Sequence, residues 1–367
     1  MILGGELRLG LEIDLAPDGT ITRLGPQTGM PEPLVLSPGF VNAHSHLEYR
    51  GLLGFSKERE YGPWIRAITE AKLAQTLDHV AEDARLAAQE NWDAGVRLIG
   101  EHSDRPVARQ AVDAVGLDAV IFQEVITFNE QLDPAAKLAD IAQKARAQNA
   151  TPSPHALHTV DDATLRSLTG SVSVHIAETA AETEFFREGT GPIAAMYERS
   201  GFAPRRTGRT VFEEARAVGL VRPGVQFVHG CDLAPSDLAL MATEGVFLAH
   251  CPRSNQFLNC PPAPIREALD AGVVVGLGLD SVASSGPIDM FAEMRAALAV
   301  SHLRGRHVQP EEVWQMATTW GAQSLGRPEW KLQVGSRVPL ILIESTATST
   351  EELIESGGNI KDPSSPE

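Results

Sequence analysis

Between residues 225 and 300 the chain repeats one hydropathy unit: a short apolar run, a loop carrying polar residues, then a stretch with helical periodicity. VQFVHG (225–230) precedes Pro235-Ser236-Asp237, where Ser236 or Asp237 can cap a helix holding Leu238 and Met241. GVFLAHC (245–251) precedes a long loop and a helix over Ile265–Ala271, closed by Gly272. VVVGLGLD (273–280) precedes a helix carrying Phe291, Met294 and Leu298. Near-continuous apolar strands alternating with helices predict a parallel sheet covered by helices. In each unit a polar residue closes the strand, at the end where α/β barrels place their active sites.

The two ends of the chain read differently. Residues 1–37 alternate apolar and polar positions, with turns at Pro17-Asp18-Gly19 and around Gly25-Pro26, and predict a few short antiparallel strands. Leu332–Gly335 and Val338–Ile343 read the same way. The expected organisation is a small β domain from residues 1–37 and 331–345, wrapped around an α/β unit over 38–330. The segment 346–367 is polar and rich in Ser, Thr, Gly and Pro, and is expected to be a flexible tail.

Composition narrows the classes. A chain of 367 residues with 43% hydrophobic content can bury a large core, and an α/β barrel uses most of that length as one unit. A formal net charge of −17 disfavours nucleic acid, whose binding depends on a basic face. Three cysteines, Cys231, Cys251 and Cys260, form no CxxC and argue against a secreted disulfide scaffold. The N-terminus breaks its apolar positions with Glu6, Arg8, Glu12 and Asp14, leaving neither a signal-peptide core nor the ~20 apolar residues needed to span a bilayer. The expectation is a cytoplasmic protein with a small-molecule partner, no membrane partner, and a homodimer left open.

Several of the eleven histidines fall at strand ends. His44 and His46 lie in SPGFVNAHSHLE, and residues i and i+2 of a strand point to one side, so both imidazoles can reach one metal ion. His175 ends SVSVHIAE, His229 ends VQFVHG, and Asp280 ends VVVGLGLD. An HxH pair alone is weak evidence; the same chemistry at four strand ends is a metal-site pattern.

PGFVNAHSHLE, HIAETAAETEFF, FVHGCDL, HCPRSN and LGLDSVAS occur in the order found in the amidohydrolase superfamily, which this chain resembles over roughly residues 38–330. The resemblance implies a metal-dependent hydrolase fold, a (β/α)8 TIM barrel with a small β-sandwich formed by both termini. Within it, the deaminase and chlorohydrolase branch is most similar, and NAHSHLE followed by YGPWIRAI, with GTGP after HIAE, resembles the aminodeoxyfutalosine deaminases of menaquinone biosynthesis. By motif, His44, His46, His175 and Asp280 would bind the metal, Glu178 would shuttle protons, and His229 would hold and polarise the attacking water. TPSPHALHTV lacks the lysine that bridges two metals in binuclear members, so one divalent ion is implied, zinc by default and iron as the alternative. Asp280 would accept the water's proton.

The resemblance also places His155 toward the substrate. Glu48 could hydrogen-bond a ribose hydroxyl or a ring, or form a surface salt bridge. Trp64 could close the pocket or serve as a core aromatic. His250 and Asn255 would shape the site from behind. An inserted loop around FREGTGPIAAMYERSGFAPRRTGRT would overhang the mouth, with Arg205, Arg206, Arg209 or Arg253 pairing with a substrate carboxylate or facing solvent. Two departures stand out: Leu279 replaces the usual threonine before the aspartate, and RVPLILI replaces an Ala-Asp-Leu pattern. The leading function is deamination of an aminopurine nucleoside, aminodeoxyfutalosine first. The alternatives are deamination of S-adenosylhomocysteine, methylthioadenosine or guanine, a chlorohydrolase, and a non-catalytic barrel.

Overall fold

The computed structural model describes residues 1–30, 32–128 and 133–363. Eight short parallel strands dominate: β1 (Phe40–Ser45), β2 (Val96–Ser103), β3 (Asp118–Val125), β4 (Thr151–Pro154), β5 (Ser173–Ile176), β6 (Gln226–His229), β7 (Phe247–His250) and β8 (Val275–Leu277). They form two four-stranded parallel sheets, ordered β1-β2-β3-β4 and β5-β6-β7-β8. Every residue of β1, β2, β5 and β6 is buried, as expected of strands covered on both faces. Phe40 packs edge-on to Phe291 of the helix Met290–Leu303, with ring centres 5.6 Å apart, and Trp314 lies 5.5 Å away.

The two sheets touch at both seams through single parallel bridges, Ser45 with Asp280 and Ala156 with His175. At one seam the Asp280 N–H donates to the His44 carbonyl at 2.9 Å; at the other the His175 N–H donates to His155 at 3.0 Å. The seams therefore join the sheets at the positions singled out for chemistry.

Helix boundaries follow local chemistry. The helix Ile265–Ala271 ends at Gly272, whose φ of 92° suits a residue without a Cβ. Pro235–Glu244 starts one residue earlier than the expected caps. Ala234 is the cap position, and Asp237 reaches back from the third helical position to accept its N–H at 2.9 Å.

The terminal segments make three small antiparallel sheets. Ile2–Leu3 pairs with Glu6–Leu7, and Leu11–Leu15 pairs with Ile21–Pro26. Leu340–Glu344 lies between Leu34–Pro38 and Ile360–Lys361, joining both ends of the chain in one sheet. The strand expected at Leu332–Gly335 is a turn: Gly335 is left-handed at φ 88°, and Val334 is 60% exposed with no face to bury.

The expected flexible tail gives way, over residues 350–361, to ordered structure. Leu353 and Ile354 of the helix Thr350–Ser356 are fully buried. Thr350 Oγ1 accepts from the Leu7 N–H at 2.9 Å and donates to the Gly5 carbonyl at 3.0 Å. Polar composition suggested mobility, but one apolar pair docks the helix on the helices Met290–Leu303 and Pro310–Met316, and one hydroxyl ties it to the N-terminal residues. Residues 364–367 of that tail lie outside the described residues. Among the described residues no helix is long and apolar enough to cross a membrane.

Candidate active site

The strand ends bring the sequence-selected residues together. His44 and His46 lie on one side of β1, with ring centres 4.9 Å apart. His46 Nε2 faces His175 Nε2 at 3.4 Å. Asp280 Oδ1 lies 3.6 Å from Nε2 of both His44 and His46. Two sets of donor atoms converge to within 4.8 Å of one another: His44, His46 and His175, and His44, His229 and Asp280. Both ring nitrogens of His44 and Nδ1 of His46 are buried without a hydrogen-bond partner. Such orphaned nitrogens carry a desolvation penalty that an ion between the Nε2 atoms would offset. The residues present fit a metal ion.

Their protonation suits the same purpose. Burial, with the neighbouring imidazole of His44, holds His175 down to about 4. Burial likewise pushes His46 and His229 well below the ordinary histidine range. Asp280 is shifted the other way: burial opposes its charge, but a hydrogen bond and the proximity of His44, aided by His229 and His46, hold it well below the usual carboxylate range. Neutral imidazoles and an ionised carboxylate are the forms that bind a metal.

Surrounding bonds fix each group. His175 Nδ1 lies 2.6 Å from the His155 carbonyl, which sets the tautomer that leaves Nε2 free. The Asn255 amide is 3.0 Å from Nδ1 of His229 and orients that ring. His250 is fully buried beside the site with both nitrogens unpartnered. Ser254 Oγ donates to Asp280 Oδ2 at 2.6 Å, and the Ser281 N–H donates to Oδ1 at 2.7 Å. Ser254 thus supplies the hydroxyl that Leu279 cannot. Ala177, His229 and Asp280 have φ of 55°, 74° and 59°, a left-handed backbone rare outside glycine and a form of local strain found at functional sites.

Glu178 follows β5, with its Oε1 3.8 Å from His229 Nε2. Burial first, then the negative potential of Cys260, Asp280 and Glu182, pushes its carboxyl well above the ordinary range. Glu182 accepts the N–H groups of Ala177, Glu178 and Thr179 at 3.2, 2.7 and 3.3 Å, pinning the backbone that carries Glu178.

A cavity of about 50 Å³, partly open to solvent, sits over this cluster. Tyr61, Trp64, Ile65 and Ile68 line its roof, spaced along one face of helix α1 (Tyr61–Ala74). His155 lines the cavity as expected, and Trp64 is both buried and cavity-lining. Glu48 is corrected. It is neither at the surface nor facing the cavity, because the 3-10 turn after β1 swings it away. Its carboxylate lies 3.0 Å from Lys72 Nζ and accepts from the Arg105 N–H at 3.1 Å.

The expected overhanging loop begins inside one helix, α2 (Ala180–Glu188), and contains a second, α3 (Gly191–Arg199). The three arginines singled out from it are engaged elsewhere: Arg205 with Asp162 and the Leu157 carbonyl, Arg206 with Glu188, and Arg209 with Glu214. Arg253 bonds the Pro287 carbonyl and lies 3.6 Å from Glu293.

His102 and His158 were missed, as were Tyr49 and Glu124. The His102 ring centre lies 4.4 Å from that of His44, while its Nε2 lies 2.9 Å from Ser173 Oγ. The polar run Glu101-His102-Ser103 closing an apolar strand was the available signal. His102, Glu124 and His175 also come within reach of one ion. Burial raises Glu124 to about 8, however, and a protonated carboxyl is a poor ligand.

Comparison with known proteins agrees with this geometry. The chain is 30% identical over 331 residues to a 5-methylthioadenosine/S-adenosylhomocysteine deaminase of Haloarcula marismortui, covering 84% of this chain and 73% of that one. Its fold is similar to an aminofutalosine deaminase of Helicobacter pylori (TM-score 0.78, 18% identity, 94% and 91% of the two chains). It is also similar to a zinc-bound adenosine deaminase of Xanthomonas campestris (TM-score 0.76, 23% identity, 92% and 81%). Residues 35–362 match the amidohydrolase family, and the chain belongs to that family.

Proposed function

We propose that this chain is a hydrolytic deaminase of an adenine nucleoside, using one divalent metal ion held by His44, His46, His175 and Asp280. The observation that carries the reading is the convergence of the three histidines and Asp280 beneath a cavity walled by Glu178. The Haloarcula relative, a 5-methylthioadenosine/S-adenosylhomocysteine deaminase by name, favours this reading over a chlorohydrolase or a non-catalytic barrel.

The ion supplies Lewis-acid activation, lowering the pKa of water from ~15.7 toward ~7. Zinc is the first assignment, since three imidazoles and a carboxylate suit it. The chain's own residues do the rest. Asp280, ionised and held by Ser254, accepts the proton of the attacking water. His229, oriented by Asn255, would polarise that water. Glu178 enters the cycle protonated because burial favours its neutral form, so it can donate to the ring nitrogen beside the reacting carbon. Left ionised by that donation, it takes the proton of the added hydroxyl and delivers it to the amine as the C–N bond breaks and ammonia leaves, and the proton held by Asp280 then returns Glu178 to its neutral form. The apolar side chains of Trp64, Ile65 and Ile68 from α1 limit the water around these transfers.

Aminodeoxyfutalosine is the specific substrate assigned from the sequence motifs. The Haloarcula relative favours a second reading, methylthioadenosine or S-adenosylhomocysteine. Ammonia release from a panel of these nucleosides, with guanine and a chlorotriazine included, tests the assignment. Turnover of at least one adenine nucleoside well above guanine and the chlorotriazine is expected; turnover of the latter two alone would reject it.

A further inference from the structure

A nucleoside cannot fit in a cavity of about 50 Å³, since small-molecule sites usually span ~300–1,000 Å³. The bound substrate must extend into neighbouring space. One candidate is a groove of about 290 Å³ between helices α1 and α3, which shares Tyr61 and Ile65 with the cavity as a common wall. Three further cavities among the described residues share no wall residue with it. The two helices approach closely because Gly62 has no side chain: a Cβ there would meet Pro192 at 3.2 Å. Cavity and groove together reach the size of a small-molecule site.

The groove has a definite chemistry. Ile193 and Met196 of α3 give it an apolar wall, with Arg66 of α1 and Arg199 of α3 beside them. Neither arginine has an ion pair or hydrogen bond among the described residues. By contrast Arg205, Arg206, Arg209 and Arg253 are all engaged elsewhere. Glu70 also lines the groove and leaves it with one net positive charge, which matches a monoanion.

Building on the nucleoside reading above, we propose that this groove is the subsite for the 5′ substituent, and that it selects a substituent with an apolar link ending in a carboxylate. The amine then lies at the metal end, while the carboxylate lies between Arg66 and Arg199, where guanidinium groups can bind it in paired fashion. A shift of the Tyr61–Ile65 wall joins the two spaces.

The test uses two thioethers that differ in the acid: 5′-methylthioadenosine and 5′-(3-carboxypropylthio)-5′-deoxyadenosine. The wild-type enzyme is assayed with both, beside Arg66→Ala, Arg199→Ala and the corresponding lysine variants. The expected result is that each alanine variant lowers the kcat/KM ratio of acid to methylthioether by about tenfold, mainly through KM, with lysine restoring part of it. Activity on the methylthioether reports that each variant is folded. An unchanged ratio in an active enzyme overturns the subsite and leaves the nucleoside reading standing. A wild-type enzyme that deaminates neither compound overturns both.

Discussion

Asp280 and His44 are joined twice: the backbone N–H of Asp280 donates to the His44 carbonyl at 2.9 Å, and its Oδ1 lies 3.6 Å from His44 Nε2. The same pair links the two parallel sheets at one seam, so sheet assembly and ligand placement are one event. Nearby, Asn42 Oδ1 accepts from the Leu279 N–H at 2.9 Å, and Asn42 Nδ2 donates to Asn91 Oδ1 at 3.1 Å, fixing the register from behind.

Gly278 makes this closeness permissible. A Cβ at that position would meet His44 Cβ at 2.8 Å and Cys251 Sγ at 3.0 Å. Gly278→Ala is therefore expected to displace His44 and weaken metal affinity by about tenfold or more, a typical cost of mispositioning a ligand. Competition with a chromophoric chelator measures it. Wild-type affinity in the variant would show that the seam yields without moving the ligand.

Glu178→Gln separates chemistry from metal binding. The amide cannot pass a proton, so kcat should fall by roughly 100-fold or more while metal content stays at the wild-type level. Burial holds the Glu178 carboxyl well above the ordinary range, so the neutral amide should not lower thermal stability and should raise it as pH climbs above the ordinary carboxylate range. Loss of metal in this variant would make Glu178 a ligand instead.

Lys72 is a structural counterpart to the site. Its Nζ lies 3.0 Å from Glu48, 3.1 Å from Asp104 and 3.0 Å from the Tyr49 hydroxyl. It ties the cavity-roofing α1 to the turn that follows His44 and His46. Lys72→Met would leave Glu48 buried without its counter-charge, at an expected cost of ~3–5 kcal/mol in urea unfolding. Adding Glu48→Gln to that variant should recover part of the loss. A double variant as unstable as the sum of the singles would show that the two residues do not depend on one another.

Glu124 gives a pH signature. Burial raises its folded pKa to about 8, above the unfolded value near 4.5. The folded chain then holds a proton that the unfolded chain releases, so this group's contribution is full below ~4.5 and is lost as pH rises toward 8. In the metal-free protein, Glu124→Gln should gain stability relative to wild type by ~1.4 kcal/mol per pH unit across that window. A difference that stays flat with pH would mean that Glu124 is ionised when folded and available to hold a second ion.

Much of this was legible in the sequence, for definite reasons. Strand-end placement of His44, His46, His175, His229 and Asp280 follows from the period of a strand and the end of an apolar run, both local properties. Glu48 was misread because its direction depends on a 3-10 turn and on Lys72, twenty-four residues away. The cavity roof was harder to see, since Tyr61, Trp64, Ile65 and Ile68 form an apolar stripe like that of any packed helix. What makes the stripe functional is the cluster it faces. The arginines of 205–209 looked free because charge alone says nothing of partners; Asp162 and Glu214 claim them only in three dimensions. The terminal helix Thr350–Ser356 was hidden for a similar reason, since two apolar residues suffice once a docking surface exists.

The central claim is that one metal ion at the sheet seam carries hydrolysis, and titrating zinc into metal-free protein while following ammonia release from an adenine nucleoside tests it most directly. Activity should be absent without metal, rise linearly, and break at about one equivalent per chain, with no recovery in His175→Ala at the same concentrations. Full activity without metal, a break at two equivalents, or normal recovery in the His175 variant would contradict the account.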